Sequence, residues 1–339
     1  MYKRQVYEPF IRKAAGLGVA SLEKDKERYE HKFEYCDLLV TGSGPSGLAS
    51  AYAAAKNGAK VILAEDKPRY GGTLLTDDVS IDNMSGKDWS EKIISELKTM
   101  PNVTLKNRSQ VFGYYDHNMM VMFERVGDHL SNKSKYTPRQ RLWYIRAKET
   151  ILSTGSIERP IVFGNNDTPG VVLSSAAKEY MKVYGVLVGR KPIIFTNNDS
   201  AYETAFEFKK NNVEPIILDT REEHDSEVVQ EAKNKGIQIK FSYGVIVANG
   251  YKKVKSAKIG KLTKDKKSFE STETINCDCI CVSGFWTPTV HLASQSGNKL
   301  KFDEKIDAFI PDKSKQNEKT IGAANGSFTL QETLSLIHI

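Results

Sequence analysis

Residues 37–66 read DLLVTGSGPSGLASAYAAAKNGAKVILAED. Asp37–Thr41 is a short apolar run with the length of a buried strand. Gly42-Ser43-Gly44-Pro45-Ser46-Gly47 follows, and LASAYAAAKNGA then has the small, Ala-rich composition of a helix packed closely on a sheet. KVILAED at 60–66 is a second strand. The whole is a βαβ unit of about 30 residues. The three glycines do different things. Gly42 permits a tight turn, Gly44 leaves room for a pyrophosphate, and Gly47 lets the helix lie on the strand. The helix N-terminus offers free N–H groups and the positive end of its dipole to phosphates. Glu65, 23 residues after Gly42, ends the second strand. A carboxylate there accepts a hydrogen bond from a ribose 2′-OH and repels a 2′-phosphate. Asp66 adds to that repulsion, whereas Lys67 and Arg69 oppose it. NAD or FAD is therefore expected over NADP. The alternative is a glycine-rich turn with no ligand. Strand, glycines, helix and acid all occurring in register speak against it.

Outward from this unit the chain alternates helices and strands. Gly71-Gly72 comes six residues after Glu65, a spacing that two-domain flavoprotein reductases share. A helix is expected at 88–100, a strand at 103–116, a strand pair at 143–155 and a helix at 174–185. A second strand–turn–helix–strand set covers 191–196, 200–212 and 214–220. A further α/β pair, a Lys-rich hairpin at 251–270 and a strand at 277–284 complete the pattern. This order predicts an α/β fold with parallel sheets and helices on both faces. The expected architecture is two Rossmann-like domains of the FAD/NAD(P)-binding, two-dinucleotide-binding-domain type, the second inserted into the first. The expected divisions are a lead-in segment at 1–35, the first domain at 36–160, the inserted domain at 161–275, and a return at 276–334. The terminal strings MYKRQ and LSLIHI read as translations of a sequencing-library adapter. An artefactual tail at 335–339 and a gene continuing in both directions are expected from them.

Two later motifs depart from the first. Thr196-Asn197-Asn198-Asp199-Ser200-Ala201 stands where the second set would carry glycines. Its side chains obstruct a pyrophosphate, and its Asn and Ser are natural helix caps. Thr320-Ile321-Gly322-Ala323-Ala324-Asn325-Gly326 stands where flavoprotein reductases place a Gly-Asp pair that holds the flavin ribityl chain. The absent acid favours a dinucleotide without a ribityl arm, such as NAD.

Composition bounds the rest. The chain has 339 residues, 40% hydrophobic and 27% charged, which fits about two globular domains and excludes intrinsic disorder. No run approaches the roughly 18–20 apolar residues of a membrane span, and no secretory signal opens the chain. Four cysteines make no disulfide framework, so a cytoplasmic location is expected. Cys277, Cys279 and Cys281 alternate with period two and are expected on one buried face. Their spacing suits neither zinc nor a redox dithiol, and no metal site is expected. The net charge of +7 is spread along the chain and reads as a solvated surface, with no nucleic-acid groove. His117 and His291 are read as packed histidines, and no catalytic residue is assigned.

Segments well beyond the first loop carry a family resemblance. They are GGTLL (71–75), FGYYDHN (112–118), PRQRLWYIRAK (138–148), STGSIERPIVFGNNDTPGVVL (153–173), IIFTNNDSAY (193–202) and VSGFWTPTVHLASQSG (282–297). With the loop they span nearly the whole chain, which resembles the alpha subunit of heterotetrameric sarcosine oxidases. The resemblance implies an oxidoreductase acting on CH–NH donors, within a complex that demethylates sarcosine to glycine. Hydrogen peroxide and methylene-tetrahydrofolate are the other products. It implies non-covalent NAD in this chain, with FAD and FMN expected in the partner subunit. It implies beta, gamma and delta partners, and tetrahydrofolate bound by a C-terminal half that this sequence lacks. Carried over, the loop Gly42, Ser43, Gly44, Pro45, Ser46 and Gly47 would hold the pyrophosphate and Glu65 the ribose. Asp66, Lys67, Gly72 and Thr73 would line the pocket and Val111 would face the adenine. Thr154, Ala324 and Asn325 would close the site. The alternatives are an FAD-dependent NAD(P)H reductase, a subunit of a related opine or amine dehydrogenase or hydrogen cyanide synthase, and a ligand-free scaffold for a partner.

Overall fold

The computed structural model describes residues 2–18 and 20–335. The expected tail at 335–339 lies outside them except for the backbone of Ser335. Helix α1 (Tyr2–Ala14) leads into β1 (Tyr29–Thr41). The glycine loop joins β1 to α2 (Pro45–Lys56), and β2 (Val61–Ala64) returns parallel to β1 with Leu38 opposite Val61. A short hairpin of β3 (Ser80–Ile81) and β4 (Met84–Ser85) precedes α3 (Gly86–Thr99), which Ser85 caps by accepting from the Asp88 N–H. Then come β5 (Val103–Lys106), β6 (Ser109–Tyr115), β7 (Met119–Arg125) and β8 (Gln140–Leu152). The first sheet runs β5-β2-β1-β8-β7-β6.

The chain crosses over through β9 (Ser156–Glu158) into β10 (Val171–Leu173) and α4 (Ser174–Tyr184). Strand β11 (Pro192–Thr196), α5 (Tyr202–Lys210), β12 (Ile216–Asp219), α6 (Glu227–Asn234) and β13 (Gln238–Phe241) repeat the strand–helix order. An antiparallel meander of β14 (Tyr243–Asn249), β15 (Ser256–Leu262) and β16 (Phe269–Asn276) precedes β17 (Cys279–Ser283). The second sheet is parallel, in the order β10-β17-β11-β12-β13. Strand β18 (Trp286–Pro288) pairs with β9 as a ribbon between the sheets and leads to α7 (His291–Gln295). The hairpin β19 (Leu300–Asp303)–β20 (Ala308–Pro311) follows, then β21 (Glu318–Thr320) and α8 (Leu330–Ser335). Strand β21 pairs with β8 and so rejoins the first sheet.

Alternation along each strand builds two cores per sheet. In the first, Leu38, Val40, Val61 and Leu63 pack on Leu48 and Ala51 of α2 and Ile93 and Leu97 of α3. Leu39 and Ile62 face the other way, onto Val111, Met122, Trp143, Ile145 and Leu292. Each fully buried Leu or Ile contributes roughly 1.5–3 kcal/mol. In the second, Ile194, Ile217, Cys279 and Cys281 meet α4, α5 and α6, while Ile193, Phe195, Leu218 and Val282 meet the meander.

In the first sheet α2 and α3 cover one face, while residues of β6–β8 and the short α7 pack on the other; in the second, helices cover one face and the antiparallel meander the other, which departs from the expected helices on both faces. The residues of 243–276 alternate as strands, and a three-stranded sheet buries its apolar side as effectively as a helix does. Five further expectations change. Strand β1 starts at Tyr29 inside the expected lead-in, because Tyr29–Cys36 pairs residue by residue with Gln140–Ala147. The expected pair at 143–155 is the single strand β8, and the expected strand at 103–116 breaks into β5 and β6. The return expected from 276 comes after Ser283, since β17 lies in the second sheet. Cys277 precedes that strand and packs on the face opposite to Cys279 and Cys281.

Candidate functional site

The strand-to-helix turn after β1 explains its own glycines. Gly42 has φ +97°, and a Cβ on it would lie 2.2 Å from the Ser153 carbonyl oxygen. A Cβ on Gly47 would lie 2.0 Å from the Gly42 carbonyl oxygen, so helix and turn touch there. A Cβ on Gly44 would meet nothing within 4 Å. Two glycines are therefore required by the protein, and the third keeps a space open. Helix α2 begins beneath that space with Pro45 and has no side-chain cap. Its first N–H groups have no side-chain partner, an arrangement that suits an anion. Gly72, at φ +55°, seats the second glycine pair on the first: its Cβ would lie 2.8 Å from the Gly44 Cα.

Glu65 ties the loop to β2. Its Oε2 accepts from the Ser43 N–H (2.9 Å) and the Ser43 hydroxyl (2.5 Å), and its Oε1 accepts from the Lys67 N–H (3.0 Å). Only 7% of the residue is exposed. Burial, joined by a hydrogen bond with Asp66, pushes its carboxyl above the usual carboxylate range, against the pull of these donors. The Ser153 hydroxyl donates to the carbonyls of Thr41 and Gly42 and fixes the turn from β8. Thr154 donates to the Thr289 carbonyl at 2.8 Å, beside the inter-sheet ribbon.

These elements surround one cavity of about 1050 Å³, at the upper end of the range for small-molecule sites. Gly42, Ser43, Gly44, Pro45, Ser46, Glu65, Asp66, Lys67, Gly72, Thr73, Val111 and Thr154 all line it. Gly47, Ala324 and Asn325 do not. Gly47 is used up in the contact with Gly42, and Ala324 is fully buried. The 322–326 turn brings Ala323 to the cavity instead, so it adds no carboxylate there. Gly322 holds that turn against α2, with its Cβ position 2.6 Å from the Ser46 hydroxyl. His117 sits exposed in the β6–β7 turn at φ +59°, and His291 is exposed at the cavity edge, so neither is packed as expected.

The sequence did not point to the opposite wall. Lys178, 8% exposed, bridges Asp77 (2.7 Å) and Glu203 (2.5 Å) between the two sheets. Asp78 reaches Lys182 and Lys210 at 2.5 Å each. Partial burial pushes the Asp78 carboxyl up, but the two ammonium groups outweigh it and hold the carboxyl down to about 2. Lys67 pairs with Glu179 of α4 at 2.8 Å. In the second sheet, Asn198 takes the place of a glycine turn. Its amide donates to the carbonyl and hydroxyl of Ser283, and its oxygen accepts from the Ser200 N–H. Side chains fill this second turn, where the first is bare.

A mixed first sheet with a parallel β5-β2-β1-β8 portion and a bare glycine turn, and a wholly parallel second sheet, define an oxidoreductase fold of the FAD/NAD(P)-binding type. The family model "FAD dependent oxidoreductase" matches residues 37–120. Thioredoxin reductase of T. acidophilum shares the fold, with a TM-score of 0.67 at 16% identity over 89% of this chain and 94% of that one. More particularly, the chain is similar to sarcosine oxidase alpha subunits over almost its whole length. It is 37% identical to that of Rhizobium meliloti over 94% of this chain and 31% of the relative. It is 35% identical to that of Corynebacterium sp. (strain P-1) over 94% of this chain and 33% of the relative. The chain thus spans about a third of the length of the curated relatives it matches. Among the described residues, no helix is long and apolar enough to cross a membrane.

Proposed function

We propose that this chain is the NAD-holding region of a sarcosine oxidase alpha subunit. The observation that carries the reading is the open space above Gly44, set over an uncapped helix N-terminus. That geometry suits two phosphates, which accept from free N–H groups and are favoured by the helix dipole. Glu65 stands where an adenosine ribose would offer its hydroxyls. The 322–326 turn, with Ala323 at the cavity and no acid, supports NAD over a flavin whose ribityl chain needs a partner. In this reading the chain binds and orients NAD. Oxidation of the CH–NH donor takes place on FAD and FMN held with the partner subunits, and tetrahydrofolate is handled by sequence beyond this region. The region alone is expected to be inactive. Beta, gamma and delta partners and a cytoplasmic location belong to the same proposal.

A second reading, FAD in this cavity, draws on the match to the FAD-dependent oxidoreductase family over 37–120. The two separate on the purified chain. Denaturation should release NAD, and the native protein should show no flavin absorbance in the visible. A yellow protein that releases FAD would establish the second reading in place of the first.

A further inference from the structure

Lys67 lies two residues after Glu65, the acid read as facing the ribose. Its backbone N–H is 3.0 Å from the Glu65 Oε1, and it lines the cavity. An ammonium there is the group that would welcome NADP. Its Nζ, however, donates to both carboxylate oxygens of Glu179, at 2.9 and 2.8 Å. Glu179 stands on α4, across the cavity from the glycine loop, and lines the same space. Its side chain is 30% exposed, which makes it the less exposed partner of the pair. The neighbouring cations are engaged as well: Arg69 donates to the Val183 carbonyl, and Arg125 donates to the Asp66 carbonyl at 2.8 Å.

We propose that Glu179 is a specificity-determining residue that excludes a 2′-phosphorylated dinucleotide by occupying Lys67. Deepening the NAD reading above, and resting on it, this gives the second sheet's domain a part in binding although its own turn is filled. That domain supplies the negative charge that completes the selectivity begun by Glu65 and Asp66. An incoming 2′-phosphate would have to break the Lys67–Glu179 pair and then face three carboxylates. A 2′-hydroxyl disturbs neither.

The test is titration of NAD and NADP by calorimetry into the chain and into Glu179→Gln. The variant should raise the ratio of NADP to NAD affinity by about fivefold, the scale of one partly exposed ion pair. The double variant Lys67→Met, Glu179→Gln should lose that gain, because the freed ammonium carries it. If NAD binds and the ratio stays the same in Glu179→Gln, the inference falls and the NAD reading stands. A gain that survives in the double variant also overturns it. Failure of the unaltered chain to bind NAD removes both.

Discussion

Two glycines of one turn differ in what their missing side chains do. At Gly47 an added Cβ meets backbone at 2.0 Å, whereas at Gly44 it meets nothing within 4 Å. Gly47→Ala must push α2 away from the turn. It should lower stability by about 1–3 kcal/mol, the usual cost of overpacking, visible as a lower thermal midpoint. Gly44→Val should leave the midpoint close to that of the unaltered chain, because its Cβ meets no protein atom within 4 Å. Equal losses for both substitutions would mean that the space over Gly44 is a packing feature. Ser43 and Glu65 belong to the same local unit. The acid at the end of β2 serves the loop through two hydrogen bonds from Ser43, so it holds the turn as well as facing the cavity.

The elements that sequence disclosed were those with a strong local signature. The unit β1–α2–β2 and the set β11–α5–β12 were legible because apolar runs and turn residues mark both ends. The upstream half of β1 was not. Tyr29–Tyr35 is polar and largely exposed, and only its register with β8 makes it a strand. The exchange of β17 into the second sheet was hidden for a similar reason, since an apolar strand of five residues suits either sheet. The site was legible on the first domain, where glycine spacing encodes backbone shape. It was not legible on α4, where Lys178 and Glu179 look like any polar helix surface until tertiary packing faces them across the cavity. In the 322–326 turn the residue at the cavity is Ala323, one position before Ala324 and two before Asn325, which is within the ordinary slack of element boundaries.

At the scale of the molecule, ion pairs hold the two sheets around the cavity. Asp77 and Asp78 project from the first domain onto Lys178, Lys182 and Lys210 of the second. The folded Asp78 carboxyl is held down to about 2, below its unfolded value of 3.8. Its contribution to stability is therefore complete above the unfolded value and is lost as pH falls through the folded one. Chemical denaturation of the chain and of Asp78→Asn should run parallel between about pH 7 and pH 5. The gap between them should narrow as the pH falls from 3.8 toward about 2. A constant gap down to that pH would show that the carboxylate does not link the domains. The filled turn at Asn198 and the bare turn at Gly44 make the molecule asymmetric, with one open turn on a scaffold whose strand–turn–helix–strand order occurs twice.

Calorimetric titration of NAD into the purified chain, beside Gly44→Val, tests that asymmetry at its root. Saturable one-site binding is expected in the first and no heat of binding in the second, with both proteins folded. Undiminished NAD binding by Gly44→Val would contradict the placement of the phosphates over this turn, as would a folded, nucleotide-free chain that takes up no NAD.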